Sequence, residues 1–222
     1  MNKVVLFGNS TTASVVHAYL TGDSGYEVVA FTVDADQIRE NGFLGLPVVS
    51  FEDVDRVYPP SAFAMHIAIS YTKWNALRAE KYQLAKAKGY SLVTYVSSKA
   101  TVWPDVAIGD NCFVHEHAVI QPFATIGNNV TIGCGSQVGH HTIVGDHCFL
   151  SAQAAVAGTV VVEPYCFFGM NATARDRITI ARGSVVGAGA VILRSTREGG
   201  VYMGQAAKCV PESWANAAIR RG

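Results

Sequence analysis

Two adjacent histidines, His140 and His141, sit in a stretch that is otherwise glycine, small residues and β-branched apolars: TIGCGSQVGHHTIVGDHCFL, residues 131–150. Imidazole is the side chain that titrates nearest neutral pH, so the pair has three possible uses: a proton acceptor, a metal ligand, or packing. Five histidines fall between 115 and 147, which keeps a shared metal site in view. The spacing of these histidines, with 141 and 147 six apart, offers no metal-ligand pair, however. No metal is therefore expected. What the pair does depends on the elements that hold it.

Those elements are set by a period. From Val102 to Ile192 every sixth residue is apolar, sixteen positions without a slip. Two places earlier the residue is mostly small, as at Cys112, Ala118, Ser136 and Thr142, and one place later glycine recurs at 109, 127, 133, 139, 145, 169 and 187. A period of six gives short strands that each turn one large side chain inward. Small residues fit the corners, and the glycines are expected to relieve backbone strain there. Three strands make one eighteen-residue coil, and stacked coils bury a core that no single coil can. The same arithmetic places His140 at a corner between Pro122 and Gly158, and His141 between Phe123 and Thr159. Cys112, Cys148 and Cys166 fall on one internal column, which reads as packing.

Residues 1–96 have another pattern. Apolar runs (KVVLFG, EVVAFTVD, HIAIS) alternate with helical stretches (TTASVVHAYLTG, FEDVDRVY, KWNALRAEKYQLAKAKG), and SLVTYV is expected to close the unit. Alternation of this kind predicts a small parallel, Rossmann-like α/β sheet. Its ligand position is the crevice at the strand C-terminal ends, which brings forward Gly8, Asn9, Ser10, Asp34 and Tyr71. The organisation expected is 1–96 α/β domain, 97–210 β-helix, and 211–222 a tail or short helix.

Bulk properties narrow the partners. Seventeen basic residues balance seventeen acidic ones, so nothing electrostatic favours nucleic acid or an anionic membrane. Half of the residues are hydrophobic, yet no window approaches eighteen continuous apolar residues, so no membrane span is expected. The N-terminus has no signal-peptide pattern, and five cysteines without a C-x-x-C pair fit reduced thiols. A cytoplasmic location is the expectation.

The hexad repeat over residues 100–195 resembles that of the hexapeptide-repeat acyltransferases, which form left-handed parallel β-helices. With the α/β domain in front, the chain looks like the sugar acyltransferases that include the bacillosamine-pathway and perosamine N-acetyltransferases and the sialic acid O-acetyltransferases. The closing segment GVYMGQAAKCV is similar to their G-x-P-A-K, with Ala206 where proline is usual. The resemblance implies a homotrimer that transfers acetyl from acetyl-CoA to a nucleotide-linked amino sugar in bacterial surface glycan biosynthesis. It makes His140 the general base and the Gly158 N–H the oxyanion donor. It also puts CoA in an intersubunit groove at Met170, Asn171, Gly187, Ala188 and Lys208, and the nucleotide sugar at the α/β crevice. Two departures stand out. His141 replaces the acidic residue that follows the family's histidine, so that Glu116, Asp146 or a backbone carbonyl orients His140, or His140 is a weaker base; His141 itself joins the catalytic candidates as an orienter, a substrate contact or neither. The first loop reads GNSTTAS instead of a glycine-rich, histidine-ended turn. Sugar or sialic acid O-acetylation is the first alternative, and a non-catalytic hexapeptide-repeat scaffold or sugar-binding protein the second.

Overall fold

The computed structural model describes residues 2–209; the tail or helix expected at 211–222 lies outside the described residues. The N-terminal sheet is built from β1 (Lys3–Phe7), β2 (Glu27–Val33), β3 (Gly42–Phe43), β4 (Leu46–Ser50) and β5 (Ala64–Ile67), in the order β3-β4-β2-β1-β5. All neighbours are parallel except the β3–β4 hairpin, which apolar-run reading misses because β3 is only two residues long. The helix α1 (Thr11–Asp23) covers one face with Ala13, Val16 and Leu20. The other face packs under α2 (Val54–Val57) and α3 (Ala76–Ala87). SLVTYV closes this sheet only at its start, where Met65 N–H donates to Ser91 O (3.0 Å) and Val93 N–H to Met65 O (2.9 Å). Leu92 makes one bridge to Met65, and Tyr95–Val96 pairs instead with Phe113–Val114 as the first rung of the second unit. Leu92, Val93 and Tyr95 stay in the cores of the α/β unit, while the backbone of Tyr95–Val96 takes its ladder partner from the coil eighteen residues on.

That unit is a three-faced prism of two-residue strands. Among the described residues its first face holds seven strands (Tyr95–Val96 to Val201–Tyr202), its second six (Thr101–Val102 to Val191–Ile192) and its third five (Ala107–Ile108 to Thr179–Ile180). The rungs pair in parallel with the residue eighteen further on, for example Gln137 with Ala155 and Val138 with Val156, until the end of the first face, where Val185 pairs with Val201. The inward apolar column and the small-residue columns form one continuous buried core. Cys112, Cys148 and Cys166 are unbridged within it, as a packing column requires.

The glycines that follow each inward residue do a different job from the one expected. None of them has a positive φ. The left-handed position is instead two residues later: every sixth residue from Asn111 to Gly189 has φ between 51° and 67°, and most are not glycine. Non-glycine side chains there carry a local cost, offset because the corner N–H bonds the coil below, as His141 N–H does to Pro122 O at 3.2 Å. The glycines are needed for close approach. A Cβ on Gly139 would lie 2.5 Å from the Gly158 nitrogen, and one on Gly133 2.5 Å from the Ala152 nitrogen.

The two units are joined through buried polar groups. Asn111, Asn129 and His147 stack at one corner: Ile67 N–H donates to Asn111 Oδ1 (2.8 Å), Asn111 Nδ2 to Asn129 Oδ1 (2.7 Å), and Asn129 Nδ2 to His147 Nδ1 (2.8 Å). Arg78 of α3 reaches the same corner fully buried, donating to Asn129 O (2.6 Å), Cys148 O (3.1 Å) and Asn75 Oδ1 (3.1 Å). The carboxylate of Asp23, at the end of α1, accepts from Tyr95 OH (2.6 Å), Ser97 OH (3.0 Å) and Ser98 N–H (2.9 Å), which ties the first coil to the sheet.

Candidate active site

His140 and His141 form the turn between the second and third faces, at the corner the eighteen-residue arithmetic assigns. Gln121 Oε1 accepts from His140 N–H at 2.9 Å and fixes the turn. The imidazole lies over Gly158 on the next coil, where a Cβ would come within 2.6 Å of His140 Nε2. Only glycine leaves room for the ring. The Nδ1 atom lies 3.1 Å from His141 Nδ1, and the His141 ring packs on Phe123, with centroids 4.7 Å apart.

The N–H of Gly158 is unspent among the described residues. At two corners of the repeat a side chain nineteen residues earlier takes this donor: Gln121 takes His140 N–H, and Glu163 Oε2 takes Arg182 N–H at 2.8 Å. Nineteen residues before Gly158 stands Gly139, which has no side chain to offer. The edge thus presents a proton acceptor beside an open backbone donor. Sequence spacing signalled Gly158, and what singles it out is the His140 ring over it, since other corners, such as Ala152 nineteen residues after Gly133, leave the same donor open among the described residues.

The acids considered for orienting His140 are engaged elsewhere. Glu116 accepts from Tyr19 OH at 2.6 Å, which lowers its pKa, and Asp146 accepts from Asn128 N–H at 2.7 Å on the edge between the third and first faces. Met170, Asn171, Gly187 and Ala188 come together on a third edge, between the first and second faces, where Gly189 N–H donates to Met170 O at 2.9 Å. Within one chain the second face separates them from His140. Lys208 is exposed beyond the last rung.

In the α/β unit, Gly8, Asn9, Ser10 and Asp34 line one crevice of about 400 Å³ at the strand ends, with Ser70 and Lys81. Gly8 has φ +123°, and a Cβ there would sit 2.9 Å from Ala68 O, so the tight turn requires glycine. Lys81, missed in the sequence, donates to Asp34 Oδ1 at 2.7 Å from a side chain only 9% exposed, so Asp34 is part of an ion pair and not an isolated acceptor. Tyr71 is not in the crevice. It packs on Phe167 and Phe149, with centroids 4.8 and 5.3 Å away, because the β-helix face offers it aromatic surface.

A cavity of about 250 Å³ lies on the other side of the sheet, between α1 and the β-helix, lined by Thr12, Val16, His66, Phe113, His115 and Phe149 among others. His66 donates from Nδ1 to Val93 O at 2.9 Å. Burial pushes its pKa down to about 4, so it is neutral near pH 7. No periodicity points to this residue, since it reads as one place in a buried strand.

Comparison with known proteins agrees with this architecture. Residues 123–158 match the model of the bacterial transferase hexapeptide (six repeats), and residues 159–194 that of the hexapeptide repeat of succinyl-transferase. No curated protein matches the chain. Among solved structures, a histidine-to-asparagine variant of perosamine N-acetyltransferase from Caulobacter crescentus, in complex with CoA and GDP-perosamine, is 29% identical. That match has a TM-score of 0.83 and covers 96% of this chain and 98% of that one. The acetyltransferase domain of PglB from Neisseria gonorrhoeae FA1090 shares the fold at 23% identity and TM-score 0.81, covering 95% and 100% of the two chains. WeeI from Acinetobacter baumannii AYE does so at 22% and 0.76, covering 90% and 96%. Repeats, prism and preceding α/β unit define a hexapeptide-repeat acyltransferase, its β-helix left-handed. Within that class the chain has the domain plan of the sugar N-acetyltransferases.

Proposed function

We propose that the protein transfers acetyl from acetyl-CoA to the amine of a nucleotide-linked amino sugar, with His140 as general base, in bacterial surface glycan biosynthesis. The observation that carries this reading is the His140 Nε2 ring edge lying over Gly158, whose N–H is unspent. The neighbour that shares 29% identity over nearly its whole length holds CoA and GDP-perosamine, which supports the choice of substrates.

The acceptor amine gives a proton to His140 Nε2 as its nitrogen attacks the thioester carbonyl. The carbonyl oxygen becomes an oxyanion, which the Gly158 N–H stabilises in place of water. Collapse expels the CoA thiolate, and the proton on Nε2 passes to it. Positioned proton transfer contributes about 10²–10⁴-fold, and one backbone donor to the oxyanion about 3–4 kcal/mol. No acyl-enzyme is needed. The CoA groove would run along Met170, Asn171, Gly187 and Ala188, with Lys208 toward the nucleotide end. Because one face of the prism separates that edge from His140 in a single chain, a complete site calls for a second copy, in keeping with a homotrimer. The Gly8–Ser10 turn and Asp34 with Lys81 would hold the nucleotide, the free N-terminal N–H groups of α1 facing its diphosphate.

The test is release of CoA thiol from acetyl-CoA across UDP-, GDP- and dTDP-linked amino sugars, with wild type and His140→Ala in parallel. One accepted sugar, and at least a hundredfold loss in the variant with CoA binding intact, is the expected result. Turnover of none of them, or a variant as fast as wild type, overturns the reading.

A further inference from the structure

We infer that His141 is the positioning residue that selects the proton-accepting tautomer of His140, doing with a neutral ring what a carboxylate would do with a charge. This rests on His140 being the base. The two Nδ1 atoms are 3.1 Å apart, so one ring donates and the other accepts. If His140 donates, its Nδ1 holds the proton and Nε2, the atom over Gly158, is a free lone pair. If His141 donates, His140 carries its proton on Nε2 and cannot act as a base. An ionised carboxylate can only accept, so it permits the first arrangement alone. An imidazole permits both.

Two features of the corner bear on the choice. Gln121 Oε1 is occupied by His140 N–H, so it does not compete for the ring. The His141 ring packs on Phe123 at 4.7 Å, which holds its Nδ1 toward His140. The coils packed directly against the pair present Gln121, Pro122 and Phe123 on one side and Gly158 and Thr159 on the other, none of them titratable. The nearest charged groups along the edge are two coils away, roughly 10 Å: Asp105 below, and Asp176 above with its partners Arg175 and Arg177. Within the chain, His141 is therefore the partner of His140 Nδ1, where its inferred role is to accept.

The consequence is a base whose strength differs from that of a carboxylate-paired histidine. An acid at position 141 would place an anion beside the His140 imidazolium, which a neutral ring does not do.

The experiment compares His141→Asn, His141→Asp and His141→Phe with wild type. All three should fold, because asparagine already occupies this left-handed position at 111, 129 and 171, and phenylalanine does so at 123 with φ 64°. The first readout is the ¹⁵N chemical shifts of the His140 ring. It reports the tautomer whether or not acetyl transfer is the true reaction. Wild type and the asparagine variant should show the proton on Nδ1, and the phenylalanine variant a mixture dominated by Nε2–H. The second readout is the pH profile of kcat. The aspartate variant should move the acidic limb upward by about one pH unit. The phenylalanine variant should lose roughly tenfold or more in kcat with KM unchanged. An unchanged His140 tautomer in His141→Phe overturns the inference, as does an unchanged kcat and pH profile in all three variants. Absence of turnover on every acceptor would count against the proposed reaction, and the ring shifts would still decide the role of His141.

Discussion

His141 and His147 hold the same place in successive hexads, both left-handed, with φ 57° and 62°. The repeat treats them identically, yet the molecule uses them differently. His147 is buried. Asn129 Nδ2 donates to its Nδ1, and its ring is packed between Tyr82 and Tyr165 at 5.4 and 4.9 Å. Burial lowers its pKa, and it serves the seam between the two units. His141 is exposed, and its Nδ1 meets only another imidazole. The deciding factor is what covers the edge. The corner carrying His147 lies under α3, whereas the corner carrying His140 and His141 is open and faces a glycine. A corner that is covered contributes to stability, and one left open is available for chemistry.

That contrast breaks most sharply at Arg78. Its guanidinium is fully buried among carbonyl oxygens, and burial is the cause that lowers its pKa to about 10. Arg78→Leu would leave the Asn129 carbonyl and Asn75 Oδ1 without donors at the centre of the seam, and would leave the Cys148 carbonyl with the Thr131 N–H alone. Unpaired buried groups cost ~1–3 kcal/mol each, so we expect a loss of about 4 kcal/mol in chemical denaturation. A change below 1 kcal/mol would mean the seam is not held by these contacts.

Gly158→Ala probes the open corner. A methyl group there would displace the His140 ring, the end of an exposed side chain that can swing away cheaply. We expect kcat to fall at least a hundredfold, comparable to removing an oxyanion donor, with stability altered by less than about 1 kcal/mol. Loss of stability on the scale of Arg78→Leu would show that the two corners are not distinct in kind.

How far the sequence foretold this contrast depends on the element. The six-residue period fixed which residues point inward and which coils are neighbours, because parallel stacking permits one register only. It therefore located His140 against Gly158. It misjudged the glycines, since a spacing pattern does not distinguish a residue needed for positive φ from one needed for close approach. It left Lys81, His66 and Arg78 unmarked, because each acquires its role from a partner dozens of residues away: Asp34, Val93 and Asn129. It also overvalued Tyr71, whose aromatic partners belong to the other unit.

The smallest effect expected is on acid stability, and it sharpens the division between covered and open histidines. His66, His115 and His147 all have lowered pKa values, with desolvation the leading cause, and that of His66 falls to about 4. The unfolded chain takes up protons at these positions near pH 6.5, while the folded chain resists. Stability from this source is thus complete above about pH 6.5 and drains away as pH falls toward 4, at ~1.4 kcal/mol per pH unit for each histidine that stays fully neutral in the fold. The lowered pKa of Asp23 works in the same direction only below the ordinary carboxylate range, so the window from pH 6.5 to 4.5 belongs to the histidines. In urea titrations over that window His66→Leu should flatten the slope. Equal slopes for wild type and His66→Leu would show that the fold does not hold His66 neutral.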